Sequence, residues 1–226
     1  MHALSAPDAD PPHFEVQIAV RDEAGQALPT ERLAVAAERF GLQSALDRWV
    51  VSTLLPRLVA DSRAGALPPN AVLVLRLSAQ SIAEAGTLTF LRRRIVESGI
   101  EPARIVFRVS ESAVLARAVP SIRLFAGLRQ LGCKLMIDEV GGGQSSFAYL
   151  KNVGVDYVAL DRDLVPAAMR ERTERAMLAA VMRLSEMLDM RTVAPAVADV
   201  TELAALRDMG IDFAMGSSSA IAKASA

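Results

Sequence analysis

An α/β barrel is the fold this sequence predicts, and three observations carry that reading. Short, nearly all-apolar runs alternate with longer helical patterns along the chain. Helical stretches stop at glycines, namely Gly41, Gly99, Gly132 and Gly210. About seven apolar runs are visible, each apolar enough to be a parallel strand buried on both faces. That number suits a closed or nearly closed barrel, with a doubly wound open sheet as the alternative.

The elements follow in order. Residues 14–20 (FEVQIAV) read as a strand, followed by a turn at Asp22–Gly25. Two helices come next. The first runs through Glu31–Phe40, and the second carries Leu46, Trp49, Val50, Leu54 and Leu58 at helical spacing, which makes Trp49 a core residue. AVLVLRLS (71–78), a helix to Gly99, RIVFRVS (104–110) and a helix to Gly132 continue the alternation. KLMIDEV (134–140), VDYVAL (155–160), a long helix around 173–189 and RTVAPAV (191–197) follow. A last helix, opened by a capping box of Asp199 and Glu202, leads into IDFAM (211–215). No GxGxxG follows a strand and no P-loop is present.

Composition narrows the function classes. Hydrophobic residues make up 52% of the 226 residues and charged residues 23%, which fits a folded domain. The net charge of −1 gives no global pull toward nucleic acid or an anionic membrane. Charges interrupt every apolar stretch before it could span a bilayer. Met1–Pro12 reads as a flexible tail ahead of a single domain, 13–226. Cys133 is alone, so no intrachain disulfide forms, and His2 and His13 near the start cannot build a histidine metal cluster. A cytoplasmic setting is expected, with no cofactor.

In such a barrel the chemistry lies at the C-terminal strand ends. Period two puts Val72, Val74 and Arg76 on one face, with Arg76 at the mouth. The same counting brings Arg108, Asp138, Ala159, Pro195 and Met215 to the mouth, with Glu15 on the first strand.

Several segments resemble the EAL domain, a family whose members cleave cyclic di-GMP with two divalent metals. They are AERFGL and LDRWV (37–50), VLRLS (74–78), FRVSES (107–112), the block from Leu131 to Val165, and LAALRDMGIDFAMG (203–216). The resemblance covers residues 14–218 and implies a TIM-like (β/α)8 barrel of the EAL type. No counterpart of the family's first strand stands upstream of Glu15, so the barrel lacks or replaces that strand, or the chain is a fragment.

The family's functional positions carry over residue by residue. Its EAL triplet falls on Glu15-Val16-Gln17, so the glutamate remains, while the ligand-holding arginine two residues on is Ala19. The metal-binding asparagine of its NLS motif is Arg76, and a metal-binding glutamate is Arg108, followed by the retained Ser110 and Glu111. Its paired aspartates become Asp138 and Glu139, ahead of Val140 and Gly141–Gly143. Its lysine is Ala159, with Asp161 kept. Its later glutamates are Pro195 and Ala198, and its closing QG reads Met215-Gly216.

A two-metal site needs several oxygen ligands around cations about 3.5–4 Å apart. Two of those ligands here are arginines, which are permanently positive and offer no lone pair. At about 4 Å and an effective dielectric near 20, each such repulsion is worth roughly 4 kcal/mol before relaxation. The resemblance therefore implies a degenerate EAL domain, not an enzyme. It would act in bacterial signalling through another signalling or regulatory protein, within a larger GGDEF–EAL chain of the FimX-like kind. A catalytically dead cyclic di-GMP receptor is the alternative, although Ala19, Pro195 and Met215 stand where ligand contacts belong and binding is not expected. No nucleic acid or membrane partner is expected, and a homodimer is left open.

The acids at the mouth need partners once the metals are gone. At least one of Arg76 and Arg108 is therefore expected to pair with Glu15, Asp138 or Glu139. Gly141–Gly143 reads either as an amide nest for phosphate or as a loop that has drifted from its metal role. Arg92-Arg93-Arg94 reads as a solvated helix face, Glu111 and Asp161 as hydrogen-bonding residues, and Met187 and Met190 as core or interface filler.

Overall fold

The structure is a computed structural model that describes residues 2–5, 12–16, 20–21, 26–28, 30–142, 147–151, 153–197, 206 and 208–216. Its centre is a closed eight-stranded barrel. Seven parallel strands form most of the wall: β2 (His13–Glu15), β5 (Val72–Arg76), β6 (Ile105–Ser110), β7 (Lys134–Val140), β8 (Tyr157–Leu160), β9 (Arg191–Val197) and β10 (Phe213–Gly216). The eighth, β1 (His2–Ser5), runs antiparallel between β2 and β10 and closes the ring.

That closing strand corrects the tail reading at His2–Ser5, while Met1 and residues 6–11 lie outside the described residues, and it is the segment that replaces the missing first strand. The run HALS has no apolar alternation to betray it. A backbone ladder on both of its edges holds it instead: Ala3 pairs with Phe14 on one side, and Leu4 with Met215 on the other. The strand expected at 14–20 is shorter than the sequence suggested. The Val16 N–H still bonds the Val74 carbonyl at 3.1 Å, residues 17–19 lie outside the described residues, and β3 (Val20–Arg21) pairs with β4 (Ala27–Leu28) in an antiparallel sheet of its own.

The helices surround the barrel: α1 (Thr30–Arg39), α2 (Gln43–Arg63), α3 (Ala79–Ala83), α4 (Thr87–Ser98), α5 (Glu111–Ala116), α6 (Ala118–Gln130), α7 (Leu164–Ala168) and α8 (Arg172–Met187). Their inner faces and the outward strand residues make the larger core, which includes Leu73, Leu75, Phe107, Ile137 and Leu160. Gly99 ends α4 in the left-handed conformation (φ 69°), which only glycine adopts without strain. The capping box at Asp199 and Glu202 lies outside the described residues.

Trp49 corrects the helix reading. It is 56% exposed, whereas α2 buries Ser44, Val51, Leu55 and Leu58. Two positions along a helix are a rotation of about 200°, so burying Val51 turns Trp49 outward. Met190 is buried and Met187 is exposed.

A smaller cluster fills the barrel itself: Val72, Val74, Val106, Met136, Ala159, Val193, Phe213 and Met215, with Tyr157 against it. These are the residues of one strand parity, stacked in layers across the barrel. Below them is a floor in which His13, 2% exposed, meets the Tyr157 hydroxyl at 3.1 Å and packs on the Phe213 ring. Two like sequences build that floor, Gly-Val-Asp-Tyr (154–157) and Gly-Ile-Asp-Phe (210–213). In each, the aspartate accepts a backbone N–H from the preceding strand (Leu135 for Asp156, Thr192 for Asp212), and the aromatic residue points inward.

Cys133, between α6 and β7, is 3% exposed, and burial pushes its thiol up to about 12. The neutral thiol has neither access nor nucleophilicity. Native protein is expected to leave an aromatic disulfide reagent unreacted until denaturant unfolds it, when one thiol appears. Fast labelling without denaturant would contradict this packing.

Candidate functional site

The barrel mouth is built by strand ends that carry charge where the interior below is apolar. Arg76 on β5 and Arg108 on β6 are register partners, and Ser110 stands beside Asp138 in the next pair of strands. Both arginines therefore share the inward parity with Glu15 and Asp138.

Arg108 spans the mouth. One terminal nitrogen, Nη1, donates to the Glu15 carboxylate and lies 3.8 Å from the Met215 sulfur. The other, Nη2, is 2.6 Å from Asp138 Oδ2. The three side chains are 10%, 14% and 3% exposed, so this is a nearly dry ion triad. Its two charge-assisted contacts offset the desolvation of the guanidinium. The remaining nitrogen, Nε, is buried without a partner among the described residues. The second arginine behaves differently. Arg76 Nη2 is 3.6 Å from Glu139 Oε1, with the side chains 61% and 49% exposed, a loose contact of little energetic weight. The expected pairing of mouth arginines with mouth acids is present in both forms.

Glu139 adopts φ 62°, in the left-handed region that disfavours a residue with a Cβ, and Gly141 follows at φ 92°. The β7–β8 register shifts in the same stretch, between Ile137 and Val140. Alternation alone would send Glu139 to the face opposite Asp138; at this irregularity it instead reaches Arg76 at the mouth. A Cβ on Gly142 would come within 2.4 Å of Asp161 Oδ2, so the chain approaches Asp161 as only glycine allows. Asp161 accepts the Asp163 N–H at 2.9 Å.

The other expected positions have apolar or structural surroundings. Ala159 is fully buried among the interior valines and Met136, Pro195 is half-buried on β9, and Met215 is 7% exposed. Glu111, buried at the start of α5, accepts the Tyr149 hydroxyl at 2.7 Å. Burial, and then that hydrogen-bonded carboxylate, push the Tyr149 hydroxyl far above the usual phenol range, so it stays a donor. Gln17, Ala19, Gly143 and Ala198 lie outside the described residues.

The divalent metals that the resemblance implies do not fit these residues. Among the described residues no three His, Cys, Asp or Glu side chains gather as a metal cluster. The space between Glu15 and Asp138 is taken by the Arg108 guanidinium. It supplies in place the positive charge that a cation would bring.

The sequence reading passed over Asp47 on α2. Its Oδ2 accepts the Ser78 N–H (2.8 Å), the Ser78 hydroxyl (2.7 Å) and the Ser81 hydroxyl (2.6 Å). Ser78 in turn caps α3, two residues beyond Arg76. Burial raises the Asp47 carboxyl, partly offset by the hydrogen bonds from Ser81 and Ser78 and by the Arg76 charge. The available signal was an acid four residues before Val51, on the stripe that α2 buries.

Known proteins carry the same frame. The EAL domain family matches residues 5–220. The chain is 26% identical over 204 residues to the cyclic di-GMP phosphodiesterase PdeF of Escherichia coli, covering 90% of this chain and 27% of PdeF. It is 26% identical over 192 residues to the bifunctional diguanylate cyclase/cyclic di-GMP phosphodiesterase MucR of Pseudomonas aeruginosa, covering 85% of this chain and 27% of MucR. It thus spans about a quarter of the length of these curated relatives. Among solved structures it is similar to the PaMucR phosphodiesterase in its cyclic di-GMP complex (TM-score 0.85, 22% identity, 95% of this chain and 87% of that one). It is also similar to the FimX EAL domain of Pseudomonas aeruginosa bound to cyclic di-GMP (TM-score 0.84, 23% identity, 95% and 86%). At these identities the likeness establishes the fold. Both neighbours hold cyclic di-GMP, so the expectation that this chain does not bind it draws no support from the comparison.

Proposed function

The chain belongs to the EAL domain family, and from that premise we propose that it is a non-enzymatic regulatory module in cyclic di-GMP signalling, acting through another signalling or regulatory protein. One observation carries the reading: the Arg108 guanidinium sits between Glu15 and Asp138, where hydrolysis would need cations. Arginine carries its charge permanently and has no lone pair to offer a metal. The loss of a lysine at Ala159 removes a further positive group from the mouth.

The test is turnover of cyclic di-GMP with magnesium or manganese. No product above a metal-free blank is expected. Turnover that Glu15→Ala abolishes would overturn the reading.

A second reading, a catalytically dead cyclic di-GMP receptor, is favoured by Arg76. It is 61% exposed at the mouth and held only loosely, which leaves a planar donor able to meet a phosphate. Titration calorimetry with cyclic di-GMP separates the two. Affinity weaker than roughly 100 μM leaves the interaction module alone, and a low-micromolar constant makes the domain a receptor. Among the described residues no helix is long and apolar enough to cross a membrane.

A further inference from the structure

From Ser112 to Ile137 the chain carries no aspartate or glutamate, against Arg117, Arg123, Arg129 and Lys134. Charge of one sign is thus gathered in a chain whose total is −1. Within this stretch α5 breaks at Arg117 (φ −138°, ψ 50°) and α6 begins at the next residue. The break makes a knuckle in which residues 115–120 are all exposed. Leu115 is 47% exposed, Val119 60% and Ile122 37%. Val119, Ile122 and Arg123 follow at spacings of three and four on α6, so they share one side of it. Among the described residues neither Arg117 nor Arg123 has an acidic partner, whereas Lys134 is tied to Asp156 at 2.7 Å. Ser110, at the mouth end of β6, caps α5, so the knuckle stands on the mouth side of the barrel.

We propose that this α5–α6 knuckle docks an acidic amphipathic helix of a partner protein, whose apolar side covers Leu115, Val119 and Ile122 while its carboxylates meet Arg117 and Arg123. The proposal rests on the interaction-module reading and adds the surface and the chemistry of the partner. Aliphatic side chains ringed by unpaired arginines are the composition of a protein interface, where arginine is enriched and its fork matches a carboxylate. Nucleic acid fits less well, because bases need aromatic platforms and the knuckle exposes none; Phe125 beneath it is 1% exposed. A membrane fits less well too, since interfacial binding relies on a long apolar face with aromatic anchors.

The probe is a synthetic helical peptide with leucine at positions i, i+4 and i+7 flanked by glutamates, beside the same peptide with lysines for the glutamates. Fluorescence anisotropy with the intact chain is expected to give saturable binding of the acidic peptide alone. Raising the salt from about 50 to about 300 mM should weaken it. The double variant Arg117→Glu/Arg123→Glu should weaken it by at least about tenfold, and Val119→Asp by a similar factor. Arg117→Lys/Arg123→Lys should retain most of it. These residues are exposed, and unchanged melting temperatures confirm that the variants fold. Equal binding of both peptides, no binding of either, or indifference to the double variant overturns the proposal. So does sedimentation with phosphatidylglycerol vesicles, or binding of duplex DNA, that the double variant abolishes while the peptide is ignored. None of these outcomes touches the turnover assay, so loss of this surface and loss of the non-enzymatic reading are told apart.

Discussion

Replacing Arg108 with alanine is expected to lower stability by about 3–5 kcal/mol, and the melting temperature by roughly 10 °C. The loss comes less from the bonds removed than from what they leave behind. Glu15 and Asp138, 14% and 3% exposed, would face each other with no cation and little water. Denaturant melts of the variant and of Arg108→Met/Glu15→Gln/Asp138→Asn check this cause. The triple variant removes the charges together and should recover most of the loss. In Arg108→Glu three carboxylates meet beside Arg76, and added magnesium is expected not to restore the melting temperature. A magnesium-dependent recovery would show that a cation can enter, and the account of the mouth would fail.

The second large effect is expected at Asp47. Asp47→Ala strands the Ser78 N–H and two serine hydroxyls that all converge on one oxygen, a loss of about 3 kcal/mol. It also loosens the cap of α3 next to Arg76. The pH dependence has a definite sign. Burial raises the folded carboxyl above its ordinary 3.8, so folding favours the protonated form. The resulting stability is fully present below 3.8 and is lost as the pH rises through the higher folded value. The difference between wild type and Asp47→Asn should therefore move toward wild type as the pH falls from neutrality into the carboxylate range. A difference independent of pH would mean that Asp47 is not held in a desolvated site.

Much of this was legible in the chain because strand parity is a rigid rule. Once KLMIDEV was a strand, Met136 and Asp138 had to share a face, and the same counting brought Arg108 and Met215 to the same mouth. The structure brings Asp138 and Met215 both within reach of Arg108. Parity says nothing about an irregularity, and Glu139, which alternation would send to the outer face, reaches Arg76 at the mouth through its left-handed turn. Helix faces proved weaker guides. On α2 two apolar stripes compete, and tertiary contact chose the one with Val51 and Leu55 over the one with Trp49. The partners of Asp47 were not legible, since they lie more than thirty residues away along the chain. The closing strand left no pattern at all, because backbone pairing needs no particular side chains.

That strand has a kinetic meaning. Leu4 pairs with Met215, so the ring closes only when segments more than two hundred residues apart meet. Contacts of such sequence separation are slow to form, and they place closure late in folding. Glu15 and Met215, which both meet Nη1 of Arg108, are register partners of His2 and Leu4 in that same strand. Asp138 reaches Arg108 from β7, and β2, β5, β6 and β7 are consecutive neighbours, so a chain that has not yet zipped β1 can already clasp Arg108 between Glu15 and Asp138 and lacks only the seam beside Glu15 and Met215.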